Sequence, residues 1–462
     1  MNYFSSRNKN LNLSFKDIFF KGLSKDGGLF LPNSMPKLSS NDLKEFEKFN
    51  FQEMSFKIFK LFIGNTFKEN DLKNIINKAY SNFRNPKIVD IKKLDHISYV
   101  QLYHGPTLAF KDIAMQVLGE MYEFLLRDSN KQINLITATS GDTGAAAIDA
   151  VKGKKNINIF VLHPHNKISS VQRKIMTTYD SKNVFNIAIK GSFDDCQKIV
   201  KEMFVDEVFS NKINMSGVNS INWARIIAQI VYYFYIFYKF NDSKKPIIVS
   251  VPTGNFGDIY AGYVAKQMGL SIEELIVATN QNNILERCIK TGEYKPLHVV
   301  ETISPSMDIQ LASNFERILF YLCNEDSDHL NQMMINLKEK GQLNLNKKQL
   351  EILQKNFSAT SCSESETLSI IKEIYTKHQY IIDPHTATAV KPLVQDKYKN
   401  KVCFCFETAH PSKFPNAIAK AINKDSDLPE EFKKIEMKQE KFDILENKTG
   451  VVKEFILQKV LN

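Results

Sequence analysis

The sequence predicts an α/β protein with parallel sheets in two lobes, preceded by a distinct N-terminal segment. Three observations carry that expectation. The chain has 462 residues, more than one hydrophobic core normally organises, so two or three lobes are expected. Short continuous apolar runs alternate with helical segments, the pattern of strands covered on both faces. Polar, glycine-bearing turns follow those runs, where open α/β sheets collect their ligands.

Taken in order, residues 1–95 are rich in Phe, Lys and Asn, and SKDGGLFLP at 24–32 supplies a turn and a short strand ended by Pro32. From residue 96 the rhythm changes. INLITATSGDTGAAAIDAV (133–151) reads as strand, small-residue turn and Ala-rich helix, and NINIFVLHP (156–164) as a second buried strand. IIAQIVYYFYIFY (226–238) is thirteen residues with Gln229 inside it, too short to span a bilayer, and reads as a buried helix. PIIVSVPTGNFGDIYAGYVAKQMG (246–269) repeats strand, glycine turn and helix, and KVCFCFETAHPSKF (401–414) ends another strand in a polar turn. The expected divisions are 1–95, 96–225 and 226–462, with a lysine-rich surface excursion near 324–360.

Composition narrows the function. The hydrophobic share of 43% is that of a globular chain, and the formal net charge is +10. Of the 61 basic side chains only seven are arginine, and the lysines are scattered rather than clustered. No basic block alternates with stacking aromatics, so nucleic acid is not an expected partner, and the surface charge suits small anions. None of the six cysteines forms a CxxC pair, which points to reduced thiols in a cytoplasmic protein and to no metal site. The N-terminus lacks an apolar core of signal-peptide length, and no membrane association is expected.

Within YHGPTLAFKD (103–112), Lys111 follows an apolar run. Burial disfavours the charged form of a lysine and makes its amine a nucleophile. GNFGD (254–258) follows a strand and opens a helix, so successive N–H groups of Gly254, Asn255, Phe256, Gly257 and Asp258 can face one small phosphate. It matches neither dinucleotide nor P-loop spacing, and alone it is equally a packing turn. SGDTG (140–144) repeats the design: Ser140, Thr143 and nearby N–H groups suit a carboxylate or phosphate, while Asp142 reads as well as a helix cap. In NSINWARI (219–226), Ser220, Asn222 and Arg225 gather at the expected start of a long apolar helix, and Arg is the side chain best suited to a phosphate. HPH at 163–165 and DPHTA at 383–387 read as capped turns rather than metal ligands. A neutralised lysine beside a small-phosphate cradle on an α/β sheet fits a Schiff base with pyridoxal phosphate.

SKDGGLFLP, HGPTLAFKD, TSGDTGAAA, GSFDDCQ (191–197), NSINWARI, PTGNFGDIYAG, DPHTA and ETAHPSKF together resemble the long-form threonine synthases, pyridoxal-phosphate enzymes of the tryptophan synthase β fold (fold type II), nearly end to end. The resemblance implies that Lys111 bonds the cofactor covalently, that 254–258 holds its phosphate, and that Thr408 meets its ring nitrogen. It implies that Asp142 lies beside the cofactor, with Ser140 and Thr143 toward the substrate carboxylate and Ser220, Asn222 and Arg225 toward the substrate phosphate. The activity implied is conversion of O-phospho-L-homoserine and water to L-threonine and phosphate, by a monomer or homodimer. The chain departs from the family pattern at Ser170, where proline is usual, and across 324–360. A same-fold phospholyase releasing 2-oxobutyrate and ammonia shares the cofactor motifs, and a non-catalytic anion-binding protein is the reading from another class. The product formed, and a visible absorption band from the lysine-bound cofactor, separate the three.

Overall fold

In the computed structural model, residues 1–129, 131–424, 427–435 and 437–461 are described. Two parallel sheets organise the chain. In the larger, six strands run in the order Phe357–Ser361, Ile272–Thr279, Ile247–Pro252, Val402–Glu407, Ile97–Gln101 and Asp90–Leu94. All neighbouring pairs are parallel except the last, which is antiparallel. The smaller sheet is parallel throughout, in the order Asp443–Glu446, Val184–Lys190, Ile157–Pro164, Ile133–Ala138 and Met215–Ser216. The central strands are buried from end to end, as Ile247–Pro252 and Ile157–Pro164 show, which is why they read as unbroken apolar runs rather than as alternating ones.

The sheets do not follow the divisions at 95/96 and 225/226. Ile97–Gln101 precedes the elements of the smaller sheet yet pairs with Val402–Glu407 in the larger, and Asp443–Glu446 returns to the edge of the smaller sheet beside Val184–Lys190. Strand pairing over such separations leaves no trace in local periodicity. The 324–360 region behaves in two ways. Its helices Ser327–Lys340 and Lys347–Asn356 bury only Leu330, Met333, Gln349 and Leu353, as a surface excursion does. The segment then ends in the edge strand Phe357–Ser361 of the larger sheet, where Phe357 is buried against Phe256.

The helix Trp223–Phe240 is the central post. Fifteen of its residues are buried, and among the described residues no helix is long and apolar enough to cross a membrane. The N-terminal segment, a three-stranded antiparallel sheet with one helix inserted before its last strand and three after it, packs directly on that post. Phe46 meets Phe234 and Phe51 meets Tyr235, each at 5.2 Å between ring centroids, and Phe62 meets Trp223 at 5.9 Å. One apolar core therefore joins the N-terminal segment to the facing sides of both sheets, while separate clusters cover their outer faces. Each large apolar side chain so buried contributes about 1.5–3 kcal/mol, enough to hold the loops at the strand ends in fixed register. The six cysteines are free and buried. Ser170 stands at the first position of the helix Ser170–Thr177, a site where proline and serine are both compatible with the helix.

Candidate active site

Lys111 is the first residue of the helix Lys111–Leu126. The turn before it is locked locally. The backbone N–H and the hydroxyl of Thr107 donate to the Asp112 carboxylate at 2.8 and 2.6 Å. Gly105 is needed beneath that contact, because a Cβ there would stand 2.3 Å from Asp112 Cβ. The turn is also locked at long range. Ala109 bridges Ala409, Phe110 N–H donates to the Thr408 carbonyl at 2.9 Å, and His410 N–H donates to the Leu108 carbonyl at 3.0 Å. HGPTLAFKD and ETAHPSKF are thus two sides of one antiparallel bridge. The Lys111 side chain is only 11% exposed. Burial pushes its amine down to about 8, opposed by Asp142 and helped by the positive charges of Lys413 and Arg225.

The 140–144 loop is folded by Thr139, whose hydroxyl accepts from the N–H groups of Gly141 and Gly144, both at 2.9 Å. The helix that follows, Asp142–Val151, has Gly141 at its cap and no side-chain cap, so Asp142 is not used as one. Its Oδ1 instead meets Lys413 Nζ at 2.6 Å and Gln172 Nε2 at 2.8 Å, and its Oδ2 lies 3.6 Å from Lys111 Nζ. Burial alone would raise this carboxyl; the two lysines outweigh it and hold Asp142 well below the usual carboxylate range. Ser140 and Thr143 are half-buried on the same loop.

At 254–258 the backbone has the form of an anion cradle. Phe256 adopts the left-handed conformation (φ +64, ψ 4) directly before the helix Gly257–Gln267, and no side chain caps that helix. Its first N–H groups have no intrahelical acceptor. A non-glycine residue in this conformation costs about 1–2 kcal/mol, and the buried Phe256 ring, packed on Phe315 and Phe357 at 5.2 and 5.3 Å, holds it there. Gly254 is covered by the segment 306–309, and a Cβ on it would lie 2.8 Å from the Ser306 carbonyl oxygen and 2.9 Å from Ile309 Cδ1. Asp258 does not turn its side chain toward the cradle. Its Oδ1 accepts from Tyr232 and Tyr233 at 2.6 and 3.2 Å, and burial, partly offset by those tyrosines, pushes it up to about 7. It anchors the loop to the central post.

Ser220, Asn222 and Arg225 do meet at the start of Trp223–Phe240, but their roles separate. Asn222 is the helix cap, accepting from Ala224 N–H at 3.0 Å and donating to the Phe19 carbonyl at 3.0 Å, with no exposed surface. Ser220 is half-buried, and its carbonyl accepts from Asn314 Nδ2 at 3.3 Å. Asn314 also donates to the Asn255 carbonyl at 3.1 Å, so it ties this cluster to the 254–258 loop. Arg225 is 2% exposed, and its guanidinium donates to the Val218 carbonyl at 3.0 Å while its Nε finds no protein partner among the described residues. Arg317, equally buried, is by contrast engaged by the carbonyls of Phe30 and Ile221 and by Asn314. One arginine is structural. The other keeps donor capacity at the site.

Sequence reasoning missed three contributors: Asn314, Ser306 and Lys413. Ser306 bridges the clusters: its Oγ lies 3.4 Å from both Lys111 Nζ and Asp142 Oδ2, while its carbonyl covers Gly254. Behind it, Ser306 N–H donates to His385 Nε2 at 3.3 Å, and His385 Nδ1 meets Asp383 at 2.8 Å. Asp383 is also the cap of the helix Pro384–Leu393, so DPHTA is the capped turn expected of it. Lys413 is fully buried. Thr408 is buried at the end of Val402–Glu407; the neighbouring Glu407 side chain is engaged by Tyr380 at 2.8 Å, and burial pushes it up to about 8.

The residues present fit pyridoxal phosphate. A buried amine with a lowered pKa, a glycine-lined helix start and an arginine with unused donor capacity lie on one connected network. Around the Lys111 amine stand two further cationic side chains, Lys413 and Arg225, and the carboxylate of Asp142, a positive excess suited to phosphate esters. Gly254→Ala should weaken cofactor binding at least about tenfold, since overpacking a tight site costs about 1–3 kcal/mol. Absorbance titration of the cofactor-free protein checks it.

Comparison with known proteins gives the same picture over the whole chain. Family models match in three consecutive parts: "Threonine synthase N terminus" over residues 2–80, "Pyridoxal-phosphate dependent enzyme" over 86–332 and "Threonine synthase, C-terminal" over 386–456. Threonine synthase of Schizosaccharomyces pombe is 40% identical over 92% of this chain and 90% of its own length, and that of Pseudomonas aeruginosa 38% over 99% and 98%. The crystal structure of pyridoxal-phosphate-bound threonine synthase from Brucella melitensis superposes with a TM-score of 0.95 at 38% identity, covering 100% of both chains.

Proposed function

Because the chain belongs to the threonine synthase family, we propose that its site converts O-phospho-L-homoserine and water to L-threonine and phosphate as a pyridoxal-phosphate-dependent lyase, with the division of labour that follows. The observation that carries the reading is a buried, weakly basic amine at Lys111 joined through Ser306 to a glycine-lined helix start. When bound, pyridoxal phosphate supplies an aldehyde for that amine and a conjugated ring that stabilises negative charge at the substrate's Cα.

The chain's own residues do the rest. Lys111 takes the proton from Cα and mediates proton loss at Cβ so that phosphate leaves Cγ. Cγ then gains a proton, the oxygen of water adds at Cβ while its released proton goes to the departing phosphate, and Lys111 returns a proton to Cα at the end. Its lowered basicity leaves a large neutral fraction near pH 8. The backbone of Gly254, Asn255, Phe256, Gly257 and Asp258 holds the cofactor phosphate, and the Thr408 hydroxyl serves the ring nitrogen. A hydroxyl, unlike a carboxylate, leaves that nitrogen largely unprotonated and moderates the ring as an electron sink. Asp142 lies beside the cofactor; Ser140 and Thr143 orient the substrate carboxylate. Arg225 and Ser220 bind the departing phosphate, and Asn222 holds Arg225 in register by capping its helix, its carbonyl accepting Arg225 N–H at 3.0 Å. The free, buried thiols support a reducing, cytoplasmic setting.

Product identification tests the reading. From O-phospho-L-homoserine, threonine and phosphate should appear in equal amounts without keto acid. Stoichiometric 2-oxobutyrate and ammonia would overturn it in favour of a phospholyase.

A further inference from the structure

Among the described residues Lys413 is the only lysine with no exposed surface. An ammonium there costs several kcal/mol unless it is paired and hydrogen-bonded. Its partners are Asp142 Oδ1 at 2.6 Å and the Thr107 carbonyl at 2.9 Å. Thr107 is the residue that Asp112 grips on the helix of Lys111, and Lys413 closes the short turn Pro411–Lys413 after His410, whose N–H meets the Leu108 carbonyl. This one side chain therefore ties together the segments carrying Lys111, Asp142 and Thr408.

The two lysines divide the carboxylate unequally. Lys413 holds Oδ1 in a short, fully buried contact, whereas Lys111 stands 3.6 Å from Oδ2. We propose that Lys413 is a positioning residue of the reaction: it serves Asp142 as a permanent counterion, so that the Lys111 amine is not needed to neutralise that charge and stays available for covalent chemistry. Without Lys413, Lys111 would be the only cation in contact with Asp142, and the pair would hold its proton. The charged and titratable groups bearing on Lys111 are Asp142, Lys413 and Arg225. Those bearing on Lys413 beyond its ion pair are Lys111, Asp112 and His410.

The inference rests on Lys111 being the reactive amine, and the experiment separates the two. In the full-length protein freed of cofactor, competitive acetylation from about pH 6 to about pH 11, read on the Lys111 peptide by mass spectrometry, gives the titration midpoint of that amine. Wild type should titrate near the value of about 8 set by burial and its neighbours. Lys413→Met should raise the midpoint by about one unit or more, a tenfold loss of neutral amine at a given lower pH. Asp142→Asn, which keeps the side-chain shape, should lower it. An unshifted midpoint in Lys413→Met with native circular dichroism overturns the proposal. So does an unshifted or raised midpoint in Asp142→Asn, which decides the matter alone if Lys413→Met does not fold. Borohydride reduction of the loaded wild-type protein followed by peptide mapping tests Lys111 itself: label on another lysine removes the premise whatever the midpoints show.

Discussion

Lys111→Ala should abolish the near-visible absorption band of the loaded protein and reduce turnover of O-phospho-L-homoserine by about 10³-fold or more. Two losses combine. The methyl group cannot bond the cofactor, and the proton transfers at Cα and Cβ lose their base, a contribution of about 10²–10⁴-fold by itself. The fold should survive. The side chain's ion pair with Asp142 is long at 3.6 Å, Lys413 remains on the carboxylate, and alanine is a good residue in the first turn of a helix. Absorbance after reconstitution, a coupled phosphate-release assay and circular dichroism make the test. A band of normal intensity in the variant would refute the assignment of the amine.

Arg225→Ala should lower kcat/KM for O-phospho-L-homoserine by about 10²–10³-fold while leaving the absorption band in place. The magnitude is that of removing a preorganised donor from charge that grows in the transition state inside a dry site. The side chain is buried and, among the described residues, makes one hydrogen bond, to Val218, and has no carboxylate partner, so its removal breaks none of the ion pairs described. A second effect has a defined sign. Arg225 helps depress the Lys111 amine, so the acidic limb of the pH–rate profile should move upward in the variant. Inorganic phosphate should also inhibit it less than wild type. Turnover within about twofold of wild type would place the substrate phosphate elsewhere.

Much of the site was legible because its chemistry is written in short, contiguous motifs. Lys111, the 140–144 loop and the 254–258 turn each combine a strand end with small residues, a pattern local enough to read without a fold. The side chains that the structure reassigns are those whose partners are remote. Asp258 sits in the phosphate loop by sequence, but Tyr232 and Tyr233, on another helix, turn its carboxyl away. Asn222 carries a donor suited to phosphate, yet Phe19 and the helix end claim it. Lys413, Ser306 and Asn314 gave no local signal, because a polar residue in a loop looks the same whether it faces solvent or a buried carboxylate. Strand order was hidden for the same reason: nothing near Ile97–Gln101 announces a partner at Val402–Glu407.

That pairing has a consequence for biogenesis. The strand leading to Lys111 is synthesised about 300 residues before the neighbour that fixes it, Val402–Glu407, and before Thr408 and Lys413. The pocket around Lys111 is therefore completed late in folding, and capture of the cofactor should follow the docking of Val402–Glu407.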